Sequence, residues 1–169
     1  MTAEVTNTRT VSPTLQHEIN GIKPELQLRM HHYFEASCDA TPEATALEWE
    51  GGKATYAQLD ASANRLAHFL RDQGVGQQAR VGLFLPRSHL MYAALLGAMK
   101  AGAAFVPIDP SSPTDRVEYV ATDAALDLLI TTAEKLPVVQ SLEVQLLVID
   151  EALPQIEQMP SERIELDLS

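Results

Sequence analysis

Short apolar runs alternate with longer segments of helical periodicity through most of this 169-residue chain. The apolar runs lie at residues 81–85, 104–108, 126–130 and 144–149, and each is too short for an ordinary helix. Near-continuous apolar runs indicate strands that are covered on both faces, and helical crossovers between strands make right-handed parallel connections. The alternation therefore predicts an α/β fold, with a doubly wound, mostly parallel sheet and flanking helices.

A small β-hairpin is predicted ahead of this sheet. Residues 45–50 alternate between apolar and polar side chains, as in a half-buried strand. The pair Gly51-Gly52 accepts the positive φ angles of a two-residue hairpin loop, so residues 53–55 should return antiparallel.

The segment after the hairpin carries the signals of a capped amphipathic helix. Thr55 is suited to the N-cap, and Gln58 three residues on completes a capping box. Gly74 is expected to end the helix. Its apolar stripe consists of Tyr56, Leu59, Ala63, Leu66, Ala67 and Leu70.

Two groups of side chains have the residue types of a metal site. Asp60, Asn64 and His68 lie at four-residue spacing on the polar face of that helix, and a solvated face is the favoured interpretation. His31 and His32 are adjacent, so in a helix their side chains point about 100° apart, which indicates a surface pair. We therefore predict no metal ligands.

The glycines exclude a phosphate-binding loop in this chain. A phosphate loop needs glycines between a strand and the helix that follows it. Gly74 and Gly76 lie instead between a helix and the next strand, while Gly97 and Gly102 lie within and just after a helix. There is no glycine after residue 102. The sequence predicts no cofactor-binding residue.

Other catalytic patterns are equally incomplete. Ser111 and Ser112 are interpreted as loop and cap residues, because no strained nucleophile elbow surrounds them. The carboxylates Glu134, Asp150 and Glu151 have no identifiable cleft or partner. Cys38 is the single cysteine and is expected to be a small, half-buried helix residue. We predict no catalytic residue.

The composition limits which binding partners and which cellular location are expected for this chain. A formal net charge of -11 argues against nucleic acid, which selects for clustered Lys and Arg. No apolar stretch approaches the length of a membrane span, so no membrane partner is expected. A lone cysteine excludes an internal disulfide and agrees with a reducing, cytoplasmic location.

The chain divides into three predicted regions. Residues 1–28 are polar and lack a sustained period, as in a flexible leader or interdomain linker. Residues 29–150 form the folded domain. Residues 151–169 carry five carboxylates against one cation, Arg163, and this acidic tail is expected to pack weakly on its own.

Residues 99–116, MKAGAAFVPIDPSSPTDR, are the most distinctive stretch of the chain. Lys100 lies in a last helical turn, where a cation suits the helix dipole, and Gly102 supplies a left-handed cap. Pro113 is placed as the first residue of the next helix. Arg116 would then lie in the first turn, where the dipole disfavours it, so we expect it to pair with Asp109.

This stretch resembles a core motif of the amino-acid adenylation domains of non-ribosomal peptide synthetases, which are adenylate-forming, AMP-binding ligases. Two further segments resemble the entry segment and the first core motif of that family, HHYFEASCDATPEATAL and ATYAQLDASANRLAHFLRDQGVG. The resemblance covers roughly residues 30–120, in the order and spacing of the family. The loop at 107–110, followed by Pro113 and Arg116, is closer to peptide synthetases than to acyl-CoA synthetases.

The resemblance implies the N-terminal subdomain of the adenylate-forming ligase fold. In that family a complete domain uses ATP and Mg to convert an amino acid to aminoacyl-AMP, then loads it on the phosphopantetheine of a carrier protein. The family's phosphate loop, amino-acid pocket and catalytic lysine lie beyond Ser169, and Lys100 is not that lysine. The implied partners are the remaining lobes of the domain and the carrier protein, and the chain is expected to be inactive alone.

Two alternatives stay open at this stage. The chain could be a stand-alone binding module that docks on a complementary lobe or synthetase partner. It could also be an unrelated flavodoxin-like domain, which the family motifs disfavour.

Overall fold

The computed structural model describes residues 29–165, which form helices and strands joined by short loops. The elements, in chain order, are α1 Met30–Ala40, β1 Thr45–Trp49, β2 Gly52–Thr55, α2 Tyr56–Asp72, β3 Arg80–Leu83, α3 His89–Lys100, β4 Ala104–Pro107, α4 Thr114–Asp123, β5 Leu128–Thr131, α5 Leu136–Val139, β6 Gln145–Val148 and α6 Ile149–Ile156.

The predicted α/β fold class is confirmed. Four strands form a parallel sheet in the order β4-β3-β5-β6, and β1 and β2 form a separate antiparallel hairpin. Helices cover both faces of the sheet. One apolar core joins α2, α3 and α6 to Leu83 and Ile130, and a second joins α4 and α5 to Phe84 and Leu129.

The hairpin forms with its loop one residue earlier than predicted. Trp49 pairs with Gly52, so the two loop residues are Glu50 and Gly51, and Gly51 has a φ of 94°. A Cβ on Gly52 would lie 2.8 Å from the Trp49 ring. Gly52 is therefore needed for the close approach of the indole rather than for the turn.

The helix signals of α2 are confirmed. Thr55 Oγ1 accepts a hydrogen bond from Gln58 N at 3.2 Å, and Gln58 Oε1 accepts one from Thr55 N at 2.9 Å. Gly74 has a φ of 84° two residues after the helix ends. The predicted stripe is buried except at Tyr56, which is half-buried. A capped helix with one apolar face therefore packs as its periodicity indicates.

The stretch from residue 99 to residue 116 forms as predicted at its start and differs at its end. Lys100 ends α3 and Gly102 has a φ of 93°. However, α4 begins at Thr114 and Pro113 is its N-cap, so Ser112 does not cap the helix.

The predicted pairing of Arg116 with Asp109 is wrong. The Asp109 carboxylate accepts hydrogen bonds from Ser111 N at 2.8 Å and Ser111 Oγ at 2.7 Å. Arg116 lies instead over the Tyr119 ring, 5.5 Å from its centroid. A contact two residues away along the loop requires little ordering of side chains, so it competes successfully with a more distant ion pair.

The described part of the acidic tail, residues 151–165, packs against the rest of the fold. Ile156 of α6 is buried in the apolar core, and Met159 and Ile164 pack against the same core. The division into residues 1–28, 29–150 and 151–169 stays a prediction, and residues 1–28 lie outside the described residues. None of the helices within residues 29–165 has the length and hydropathy that a bilayer crossing requires.

Candidate functional site

The carboxyl edge of the parallel sheet is the first place to look for a ligand site, because open α/β sheets bind ligands there. Asp109, Asp150 and Glu134 at this edge each have a local partner, whereas Thr131 Oγ1 and Thr132 Oγ1 are buried without a hydrogen-bond partner among the described residues. Asp150 accepts hydrogen bonds from Ala133 N at 3.0 and 3.2 Å, and Asp109 is bound to Ser111. Glu134 is an exposed neighbour of Lys135, 3.8 Å away. Within residues 29–165 these loops hold no glycine-rich turn between a strand and a helix.

A buried charge cluster joins α1, α2 and α3. The Lys100 side chain is 2% exposed and forms ion pairs with Glu35 and Asp60. The Lys100 Nζ lies 2.8 Å from Asp60 Oδ1. The two atoms form an ion pair, but their angles do not meet the criteria for a hydrogen bond. Lys100 thus holds together three helices whose participating residues are far apart in sequence.

The terminal segment, residues 159–165, supplies the second cation of this cluster. Arg163 Nε donates a hydrogen bond to Asp60 Oδ2 at 3.1 Å and lies 3.8 Å from Glu35 Oε1. Its two Nη atoms bind the Asp39 carboxylate at 2.9 and 3.1 Å. These hydrogen bonds to Asp39 raise the pKa of Arg163 and lower the pKa of the Asp39 carboxyl.

The polar face of α2 is covered by this segment, so the prediction of a solvated face is wrong for Asp60 and Asn64. Asp60 is 8% and Asn64 2% exposed. Asn64 Nδ2 donates to Ser161 O at 2.8 Å, and His68 Nε2 lies 3.1 Å from Glu162 O. Periodicity identifies a polar face but cannot show that a segment nearly a hundred residues away covers it.

The predicted surface pair His31 and His32 is also corrected, because His31 is buried. Its ring packs edge-on against that of His32, with 4.3 Å between the centroids. Burial lowers the pKa of His31 to about 4, so the ring is neutral at physiological pH. Ligand atoms of His31, His32 and Glu35 lie within 4.8 Å of one another. Since Lys100 and Arg163 already occupy the Glu35 carboxylate, this group is poorly suited to a cation.

Cys38 is more buried than predicted and has no feature of a nucleophile. Its side chain is 4% exposed, and its Sγ lies 3.6 Å from Tyr56 O. Burial raises the pKa of the thiol to about 11, which keeps it protonated. The residue belongs to the packing of α1 on α2.

A cavity of about 240 Å³ lies between the hairpin, α2, α3 and α6. The Trp49 ring stacks on His89 at its side, with 4.7 Å between centroids. The lining of the cavity is mainly apolar, with Arg65 and Glu157 among its polar residues. No local sequence signal marks this cavity, because four separate elements contribute its walls.

The sequence matches the protein family described as "AMP-binding enzyme" over residues 34–167. The chain belongs to this family. It corresponds to the N-terminal portion of the adenylation domain of a nonribosomal peptide synthetase, which confirms the resemblance found in its motifs.

Two curated relatives illustrate the match. Syringomycin synthase SyrB1 of Pseudomonas syringae pv. syringae is 44% identical over 124 residues, which cover 73% of this chain and 20% of that protein. The dimodular nonribosomal peptide synthase of Bacillus subtilis is 40% identical over 136 residues, which cover 79% of this chain and 6% of that protein. The chain therefore spans a small part of each relative.

A solved structure shows the same fold. The N-terminal subdomain of NpsA from Klebsiella oxytoca superposes with a TM-score of 0.71 at 23% identity. The superposition covers 81% of this chain and 34% of the NpsA chain. The parallel sheet and the hairpin are thus the architecture of an N-terminal subdomain in this fold family.

Proposed function

We propose that this chain is the scaffold of an adenylation domain whose complete form activates an amino acid with ATP as aminoacyl-AMP. The complete domain then transfers the aminoacyl group to the phosphopantetheine thiol of a carrier protein. The observation that carries the proposal is the location of the family motifs, which build the hairpin, α2, α3 and β4, the framework of the subdomain. Residues 1–169 alone are inactive in this proposal.

The chemistry of adenylate formation explains why residues 1–169 alone are expected to be inactive. Release of pyrophosphate requires backbone amides and cations that hold the β- and γ-phosphates. Within residues 29–165, the strand-to-helix loops at the carboxyl edge of the sheet lack glycine, and the net charge of -11 repels an anionic nucleotide.

ATP and Mg are therefore assigned to the remaining lobes of the complete domain. The remaining lobes and a carrier protein are the proposed partners, and the proposed location is the cytoplasm.

A segment exchange tests the proposal. Residues 34–165 of this chain would replace the matching segment in the adenylation domain of syringomycin synthase SyrB1, and amino-acid-dependent pyrophosphate exchange into ATP would be measured. The chimera should exchange with the amino-acid preference of the host, whereas residues 1–169 alone should not exceed the no-enzyme control.

The unmodified host domain and a host domain lacking the segment are the controls. A folded chimera without exchange would contradict the scaffold role and favour a separate docking module. A changed amino-acid preference would show that this segment contributes to the pocket.

A further inference from the structure

The charge balance of the buried cluster depends on the terminal segment. Within α1, α2 and α3, the buried or nearly buried charges are Glu35, Asp60 and Lys100, which sum to one net negative charge. Arg163 brings the fourth charge and contacts both acids. Asp39 lies at the outer side of Arg163, and its side chain is 66% exposed.

We propose that Arg163 is a positioning residue. It completes the neutralisation of the Glu35–Asp60 acid pair and thereby makes the terminal segment fold as one unit with α1, α2 and α3. This inference rests on the proposed function in one respect: the segment then fixes the direction in which the chain leaves the scaffold toward the remaining lobes.

Burial is the reason that the cluster requires this second cation. The side chains of Glu35 and Asp60 are 15% and 12% exposed, so water screens them poorly. Without Arg163, Lys100 alone would face two carboxylates, and an uncompensated charge would remain away from water. Undocking of the terminal segment would expose Asp60 to water, so a variant without Arg163 can relieve this cost only by releasing the segment.

The other contacts of the segment involve no ion pair. Asn64 donates to Ser161 O, His68 lies against Glu162 O, and Met159 and Ile164 pack against the apolar core. These contacts orient the backbone, but they do not balance the acid pair. Arg163 can therefore be tested separately from them.

The first experiment uses the 169-residue protein and two measurements, urea unfolding and amide hydrogen exchange of residues 159–165. Arg163→Met should lower the unfolding midpoint and speed exchange in the terminal segment about tenfold or more. Adding Asp60→Asn removes one buried acid and should restore the midpoint, while exchange in the segment stays fast.

Two further variants complete this experiment. Arg163→Lys should restore the unfolding midpoint and the slow exchange of the segment only partly, since an ammonium cannot bind Asp39 and Asp60 in the manner of a planar guanidinium. Arg71→Met, which removes an exposed cation of α2, should change neither measurement. The proposal is overturned if Arg163→Met leaves both measurements unchanged, or if the double variant is no more stable than the single one.

The second experiment tests positioning in the exchange-competent chimera. The double variant Asp60→Asn/Arg163→Met should keep normal stability yet lose about tenfold or more in kcat for pyrophosphate exchange, with little change in KM for the amino acid. Full recovery of kcat would contradict a positioning role. If the parent chimera does not exchange at all, the proposed function fails, while the hydrogen-exchange measurements on the 169-residue protein still decide the charge coupling.

Discussion

At the scale of single residues, burial has different consequences for Lys100, which forms ion pairs, and for His31, which is neutral. Lys100 remains paired with carboxylates at 2% exposure, whereas His31 at 4% exposure is held neutral. Burial disfavours a charge without a counter-charge, and the His31 Nδ1 has no hydrogen-bond partner among the described residues. Substitution therefore tests the pairing of Lys100, whereas pH tests the buried neutral state of His31.

Replacing Lys100 by Met should destabilise the fold by about 3–5 kcal/mol, because it leaves Glu35 and Asp60 with only Arg163 as counter-cation. Urea unfolding at neutral pH measures the change. Lys135→Met is the matched control, since Lys135 is a more exposed cation near Glu134, and it should change stability by less than about 0.5 kcal/mol. Equal effects of the two substitutions would show that the buried pairs contribute little.

Stability should fall as the pH drops from about 6.5 to about 4 because of His31. The unfolded imidazole takes up a proton at its ordinary pKa, whereas the folded one does so only near 4, so protons favour unfolding across this window. The unfolding free energy of the wild type minus that of His31→Gln should decrease by about 2 kcal/mol between about pH 7.5 and about pH 5. A difference that is independent of pH would contradict the buried, neutral histidine.

At the scale of elements, the close contact of α2 and α3 depends on a glycine. A Cβ on Gly97 would lie 3.1 Å from Leu66 Cβ and 3.2 Å from the backbone oxygen of Ala63. Since one of these atoms belongs to a helix backbone, it cannot move away as a flexible side chain can. The spacing of the two helices is therefore set at this position.

Gly97→Ala should destabilise the protein by about 1–3 kcal/mol through overpacking between the two helices. Gly76→Ala is the control, because a Cβ there meets nothing within 4 Å. Thermal unfolding of both variants measures the effect. A Gly97→Ala protein as stable as the Gly76→Ala protein would show that α2 and α3 can separate without cost.

The elements were predictable where their signals are local. The capping box at Thr55, the positive-φ glycines and the apolar runs each involve neighbours along the chain, and these features formed within one or two residues of prediction. The charge cluster joins residues 35, 60, 100 and 163, and no periodic pattern connects positions so far apart. For the same reason, the polar face of α2 was mistaken for a solvated surface.

At the scale of the whole molecule, the chain is a parallel sheet covered on both faces, and its family motifs serve its construction. The carboxyl edge carries proline-containing and locally bonded loops, while the buried charges lie among the helices of one face. Under the function proposed above, such a scaffold contributes to catalysis only through the lobes that it supports. Activity should therefore appear only in the context of a complete domain.

Amino-acid-dependent pyrophosphate exchange, measured in parallel for residues 1–169 and for the chimera carrying residues 34–165, tests this dependence most directly. We predict no exchange above the no-enzyme control for the chain alone, since it lacks a glycine-rich phosphate loop. We predict exchange with the amino-acid preference of the host for the chimera. Exchange by the 169-residue chain alone would contradict the scaffold role.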